Sequence, residues 1–194
     1  ILRVGRFLAR FAERGFTIHP ETITLMQMMV ATGEVDALVA ERVWKELVRA
    51  LTEATPTAFF DALAQSNALP ILFPYTTLED AGMKALAVAA AQGAPSLLRF
   101  AAWLHDLPEH ANAPADAIAR YCNRYKVPNE FSELAKLTAK HYAEALKAQA
   151  LSPEAALSLL TRLDSFRRTS RFAAFIATCD ILARTKGLNQ VAAR

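Results

Sequence analysis

The sequence is poor in the residues that interrupt helices and in those that cross-link loops. Six glycines and two cysteines occur among 194 residues, and no segment alternates apolar and polar residues over a useful length. The missing period of two, with few β-branched residues and abundant Ala and Leu, excludes a sheet and leaves an all-α fold. Cys122 and Cys179 lack CxxC spacing and read as small buried thiols in a reducing cytoplasm. No run reaches the ~18 uninterrupted apolar residues a membrane span requires, so no membrane partner is expected. No signal peptide is visible. Charge of one sign is also scarce: 22 Lys and Arg face 19 Asp and Glu, a net +3, with a pI near 9.0. That mild excess permits an RNA partner without demanding one. At 53% hydrophobic residues the chain is too apolar for disorder and long enough for one large core or two small ones. An initiating Met is absent too; a chain opening on Ile1-Leu2-Arg3 starts inside a helix and reads as a fragment.

What is present is a succession of amphipathic helices, organised around Gly33 to Leu51. A turn at Gly33-Glu34 leads into a helix in which Val39, Val43, Leu47 and Leu51 fall four apart, with Trp44 and Val48 widening the apolar stripe. Glu41 with Lys45, and Arg42 with Glu46, are expected on the outer side, each pair worth about 0.2–0.5 kcal/mol. Ahead of it, Leu2 to Arg14 reads as a helix with Phe7, Leu8 and Phe11 inward. Arg3, Arg6, Arg10 and Arg14 cover the rest, and Gly15 ends it. Those arginines fit a solvated face or an RNA contact.

Pro20 opens a helix with Ile23, Met26 and Val30 inward, its methionines serving as core filler. Thr77 with Asp80 resembles a capping box for a helix from Leu78 to Gln92. Pro114 opens another, with Ile118, Tyr121 and Tyr125 inward and Arg120, Arg124 and Lys126 outward. Lys136, Lys140, His141 and Lys147, interleaved with Tyr121, Tyr125 and Tyr142, suit either phosphate contact with base stacking or snorkelling lysines over half-buried rings. Phe166 to Phe172 is the densest basic cluster, and Phe172 to Thr185 reads as the last helix.

Several of these segments resemble one family. Glu41-Arg42-Val43-Trp44-Lys45-Glu46-Leu47 is similar to the neck helix of bacterial CCA-adding tRNA nucleotidyltransferases. So are Leu2-Arg3-Val4-Gly5-Arg6-Phe7 through Gly15-Phe16, Pro20-Glu21-Thr22, and Leu72-Phe73-Pro74. Cys122 to Glu130 and Asp164 to Arg171 resemble later family stretches. The resemblance implies addition of C, C and A to tRNA 3′ ends from CTP and ATP with Mg²⁺, in the cytoplasm. Its catalytic carboxylates would belong to a head domain outside this chain, so no catalytic residue is named here. The implied organisation is a helical neck over residues 1–75 and an HD-like helical bundle over 76–194. Arg3, Arg6, Glu41 and Arg42 would support the nucleotide, and Arg124, Lys126, Arg167, Arg168 and Arg171 would meet tRNA. Nothing in the sequence sets an oligomeric state.

The HD resemblance rests on His105-Asp106 and on Asp180, the residues expected to hold a metal in an active domain of that kind. The position expected to carry its first His holds Lys84, whose ammonium repels a dication. Pro108 replaces the Gly-Lys expected after Leu107, and His110 is the remnant of a His-rich loop. A degenerate, metal-free shell is therefore the expectation. The alternatives are a metal-dependent phosphohydrolase, a non-catalytic RNA-binding module and a poly(A) polymerase relative.

Overall fold

A computed structural model describes residues 1–109 and 113–187; His110 lies outside them. Eleven α-helices and no strand occur among the described residues, so the chain is all-α. They are α1 (Leu2–Phe11), α2 (Pro20–Ala31), α3 (Ala40–Thr52), α4 (Thr57–Gln65), α5 (Leu69–Leu72) and α6 (Ala81–Ala91), followed by α7 (Ser96–Leu104), α8 (Ala117–Arg124), α9 (Asn129–Ala145), α10 (Pro153–Arg162) and α11 (Thr169–Thr185). None is long and apolar enough to cross a membrane.

Helix ends follow local chemistry. Ser152 caps α10 by accepting a hydrogen bond from the Ala155 amide at 3.3 Å, with Pro153 at the first helical position. Among the described residues, five helices close on a left-handed residue whose successor's amide reaches back five residues to a carbonyl. Examples are Ala68 to Leu63 at 2.8 Å and Val127 to Cys122 at 2.9 Å. With few glycines available, Asn67, Lys126 and Asp164 occupy three of these turns at φ of 63°, 51° and 51°. Helix α6 begins three residues later than the capping pattern suggests, because Asp80 turns its carboxylate back to the Thr77 amide and hydroxyl, both at 2.6 Å.

The buried face of α1 differs from the aromatic stripe expected of it. Leu2, Gly5 and Ala9 are buried, while Phe7 is 51% exposed. The reason is close approach: a Cβ on Gly5 would stand 3.0 Å from the Phe59 ring and 3.2 Å from its carbonyl, so α1 docks on α4 through small residues. Val39 is also exposed, because it is the N-cap of α3 rather than part of its stripe.

One aromatic core joins α3, α4, α7 and α9. Phe60 lies 4.8 Å and Phe73 5.4 Å from Trp103, ring centre to ring centre, while Trp44 meets Phe100 at 5.5 Å and Phe131 at 5.0 Å. Such pairs add about 0.5–1.5 kcal/mol each beyond burial. Polar groups cross the same seam. Tyr125 donates its hydroxyl to the Leu72 carbonyl, and Tyr121 accepts from the Tyr75 amide at 3.0 Å. Burial pushes both phenols up to about 12. Arg99 is buried and donates to the carbonyls of Ala94 (2.6 Å), Leu51 and Glu53 (both 2.8 Å), the latter two at the end of α3. Hydrogen bonds from a charged donor contribute about 1.5–3 kcal/mol each.

Candidate nucleotide and RNA site

The first candidate site lies where α1 meets α3. Glu46 was expected in an outer pair with Arg42. Instead it is buried beneath α1, where it accepts a 2.7 Å hydrogen bond from Arg6 Nε, with Arg3 Nε at 3.7 Å. Its position follows from the stripe: three residues after Val43 and four before Ala50, it sits among apolar neighbours and requires a cationic partner. The pair anchors a cavity of about 240 Å³ lined by Arg3, Arg42, Glu34, Glu46, Met29 and Leu38, among others. Two guanidiniums, two carboxylates and an apolar floor can take a planar group bearing hydrogen-bond donors and negative charge.

The four nucleotide candidates thus separate. Arg3 and Arg42 line the cavity. Arg6 stands behind it, holding Glu46. Glu41 leaves it altogether and pairs with Lys126 at the end of α8, a contact that holds its carboxyl below the ordinary glutamate range. Glu34 and Glu46 were missed. For Glu46 the signal was its place on the apolar stripe of α3; for Glu34 there was none.

The five RNA candidates separate in the same way. Lys126 is engaged by Glu41. Arg124 donates to the Ile71 carbonyl at 2.9 Å and lies over the Tyr125 ring. Arg168 meets Glu133 at 2.7 Å and Asp164 at 3.8 Å. Arg171 meets Glu133 at 3.5 Å and the Leu163 carbonyl at 3.0 Å. Arg167 keeps a side chain 86% exposed, with Asp164 at 4.0 Å. The interleaved tyrosines do not offer base-stacking surfaces: Tyr121, Tyr125 and Tyr142 are all buried, and so is His141.

The third set, His105, Asp106 and Asp180, does not form a metal cradle. His105 turns Nδ1 to the Ala102 carbonyl at 2.8 Å and packs its ring edge-on against Tyr142. Lys84 does not face the doublet as expected; it is exposed, and Gly82 stands opposite Asp106, donating its amide to Oδ2 at 3.3 Å. A Cβ at position 82 would lie 2.0 Å from the Trp103 carbonyl oxygen, so no ligating side chain fits there. Asp180 sits on α11, which packs against α6 and α7, and its buried Oδ1 has no hydrogen-bond partner among the described residues. No group of three His, Cys, Asp or Glu side chains converges among the described residues.

Residues 15–79 match a family described as the probable RNA- and SrmB-binding site of polymerase A. The chain is 40% identical over 185 residues to the CCA-adding enzyme of Coxiella burnetii, covering 95% of this chain and 47% of that protein. It is 41% identical over 187 residues to the CCA-adding enzyme of Pseudomonas putida, covering 96% and 49%. With the multifunctional CCA protein of Thioalkalivibrio sulfidiphilus the identity is 39% over 209 residues, covering 93% and 51%. The first two alignments are as long as the stretch of this chain they cover. The third exceeds 93% of 194 residues by roughly thirty positions, which have no counterpart here. The chain spans about half the length of the curated relatives it matches. Along nearly its whole length the chain is thus similar to about half of a CCA-adding enzyme.

Proposed function

We propose that the polypeptide containing this chain adds C, C and A to tRNA 3′ ends from CTP and ATP in the cytoplasm. Residues 1–75 would act as its neck and 76–194 as an HD-like helical body. The observation that carries this reading is 40% identity to a CCA-adding enzyme along 95% of the chain. Mg²⁺ would supply the electrophilic assistance for nucleotidyl transfer. Its ligands would belong to the head domain that the family resemblance implies.

Within this chain, Arg3 and Arg42 flank the cavity and would meet the nucleotide, with Arg6 and Glu46 fixing the wall behind them. Arg167, Arg168 and Arg171 would track the tRNA backbone from the α10–α11 turn, with Arg124 and Lys126 at the neck–body seam. Gly82 and the exposed Lys84 speak against a metal-dependent phosphohydrolase built on His105, Asp106 and Asp180.

The test is incubation of the native-length protein with tRNA lacking its 3′ CCA, CTP, ATP and Mg²⁺. Extension by all three nucleotides is expected. Failure to extend an intact acceptor end would overturn the reading.

A further inference from the structure

A second surface, outside the cavity and outside the basic clusters, is built for a different contact. On α1, Phe7 and Phe11 stack with ring centres 6.3 Å apart and planes 8° from parallel, and Phe16 continues the row at 5.5 Å from Phe11. Phe7 is 51% exposed and Phe16 62%. Burying aromatic rings is the dominant gain available to them, so their exposure along one row marks a contact surface.

Arginines accompany the first two rings. The Arg6 guanidinium lies 5.0 Å from the Phe7 ring centre, and those of Arg10 and Arg14 lie 5.6 and 5.7 Å from that of Phe11. Arg6 is committed to Glu46, and Arg10 has Glu53 at 3.8 Å, while Arg14 has no acidic partner among the described residues. The row opens onto a depression shared by Leu8, Phe16, Thr17 and Ile18, whose far wall carries Asp61 of α4. Asp61 is half-buried among apolar neighbours, and burial holds its carboxyl above the ordinary range.

We propose that Phe7, Phe11 and Phe16, with Arg10 and Arg14, form a stacking platform for unpaired nucleotides of single-stranded RNA, with Asp61 accepting from an exocyclic base amino group. The reading rests on the RNA-binding function proposed above. Aromatic faces hold bases irrespective of sequence, and nearby guanidiniums follow the phosphates. A carboxylate acceptor adds selectivity, because cytosine and adenine present an amino donor on the Watson–Crick edge where uracil presents a carbonyl. Charge complementarity rests on Arg14, which has no acidic partner among the described residues, whereas at the α10–α11 turn Glu133 and Asp164 already occupy the arginines.

The experiment measures binding of the native-length protein to labelled oligocytidylate, oligouridylate, a blunt RNA duplex and tRNA, for wild type, the double variant F7S/F16S, and D61A. Loss of both exposed rings is expected to weaken oligocytidylate binding tenfold or more while leaving the blunt duplex unaffected. D61A is expected to narrow the preference for oligocytidylate over oligouridylate. Unchanged oligocytidylate affinity in F7S/F16S overturns the proposal, as does a wild type that binds tRNA but no oligonucleotide. A lowered thermal midpoint with intact oligonucleotide binding also overturns it, by assigning the rings to packing against another part of the polypeptide. A wild type that binds no tRNA at all removes the proposed function, and this inference with it.

Discussion

Two regions of the molecule are rich in arginine and use it in opposite ways. At and just after α1, Arg6 is drawn beneath the helix by buried Glu46, with Arg3 at 3.7 Å from the same carboxylate. Arg10 and Arg14 lie over the Phe11 ring, Arg10 with Glu53 at 3.8 Å and Arg14 with no acidic partner among the described residues. At the α10–α11 turn, Arg168 and Arg171 stay near the surface and converge on one carboxylate, Glu133, supplied by α9. The lesson is that arginine density does not measure free positive charge. What decides is where the fold delivers the acid, and whether water still reaches the pair.

The sharpest way to break that contrast is E46A. It leaves Arg6, whose side chain is only 17% exposed, without its partner. A loss of about 3 kcal/mol is expected, read as a thermal midpoint lower by roughly 6–12 °C. A midpoint within error of wild type would mean that both arginine groups behave as surface pairs.

The corresponding change at the other end, E133A, is expected to cost less than about 1 kcal/mol, because the pair is exposed. Its effect should appear in RNA binding instead. Releasing Arg168 and Arg171 is expected to tighten tRNA binding at low salt and to steepen the dependence of log affinity on log salt by about one. Unchanged affinity would mean that this turn does not face RNA. R167Q tests the same surface from the opposite direction, with stability unaltered and the salt slope reduced by about one.

The smallest effect is expected at Asp61. Burial raises its folded-state pKa, so the folded protein favours the neutral carboxyl. That contribution is complete below the unfolded aspartate value and is lost as pH rises through the folded one. D61N should therefore raise the thermal midpoint slightly at neutral pH. The gap between the two proteins should close as pH falls into the carboxylate range; a gap independent of pH would sink this account.

The all-α class was legible because amphipathic stripes and helix-opening prolines are local signals. So were the inward Tyr121 of α8, the buried Tyr125 at its end and the cap at Ser152. The misreadings at α1, at Arg168 and Arg171 and at the His105-Asp106 doublet share a cause, which is that the partner lies far along the sequence, whereas the start of α6 and the exposure of Val39 are local effects of helix ends. The face of α1 was set by Phe59, more than fifty residues away, which admits only a small residue at position 5. Arg168 and Arg171 owe their neutralisation to a residue 35 and 38 positions earlier. At the His105-Asp106 doublet, chain spacing pointed to Lys84 while helix packing selected Gly82. Stripes show that a helix is buried somewhere, but they do not name the residue across the gap.

The buried guanidinium of Arg99 has a consequence for how the molecule opens. Because α7 supplies the donors for the last carbonyls of α3, the two helices cannot lose protection from solvent exchange independently. The cavity wall carried by α3, with Arg42 and Glu46, therefore inherits the opening free energy of the far half of the chain. A substitution deep in that half, touching neither nucleotide nor RNA, should loosen the cavity by raising the population of molecules in which α3 has come free.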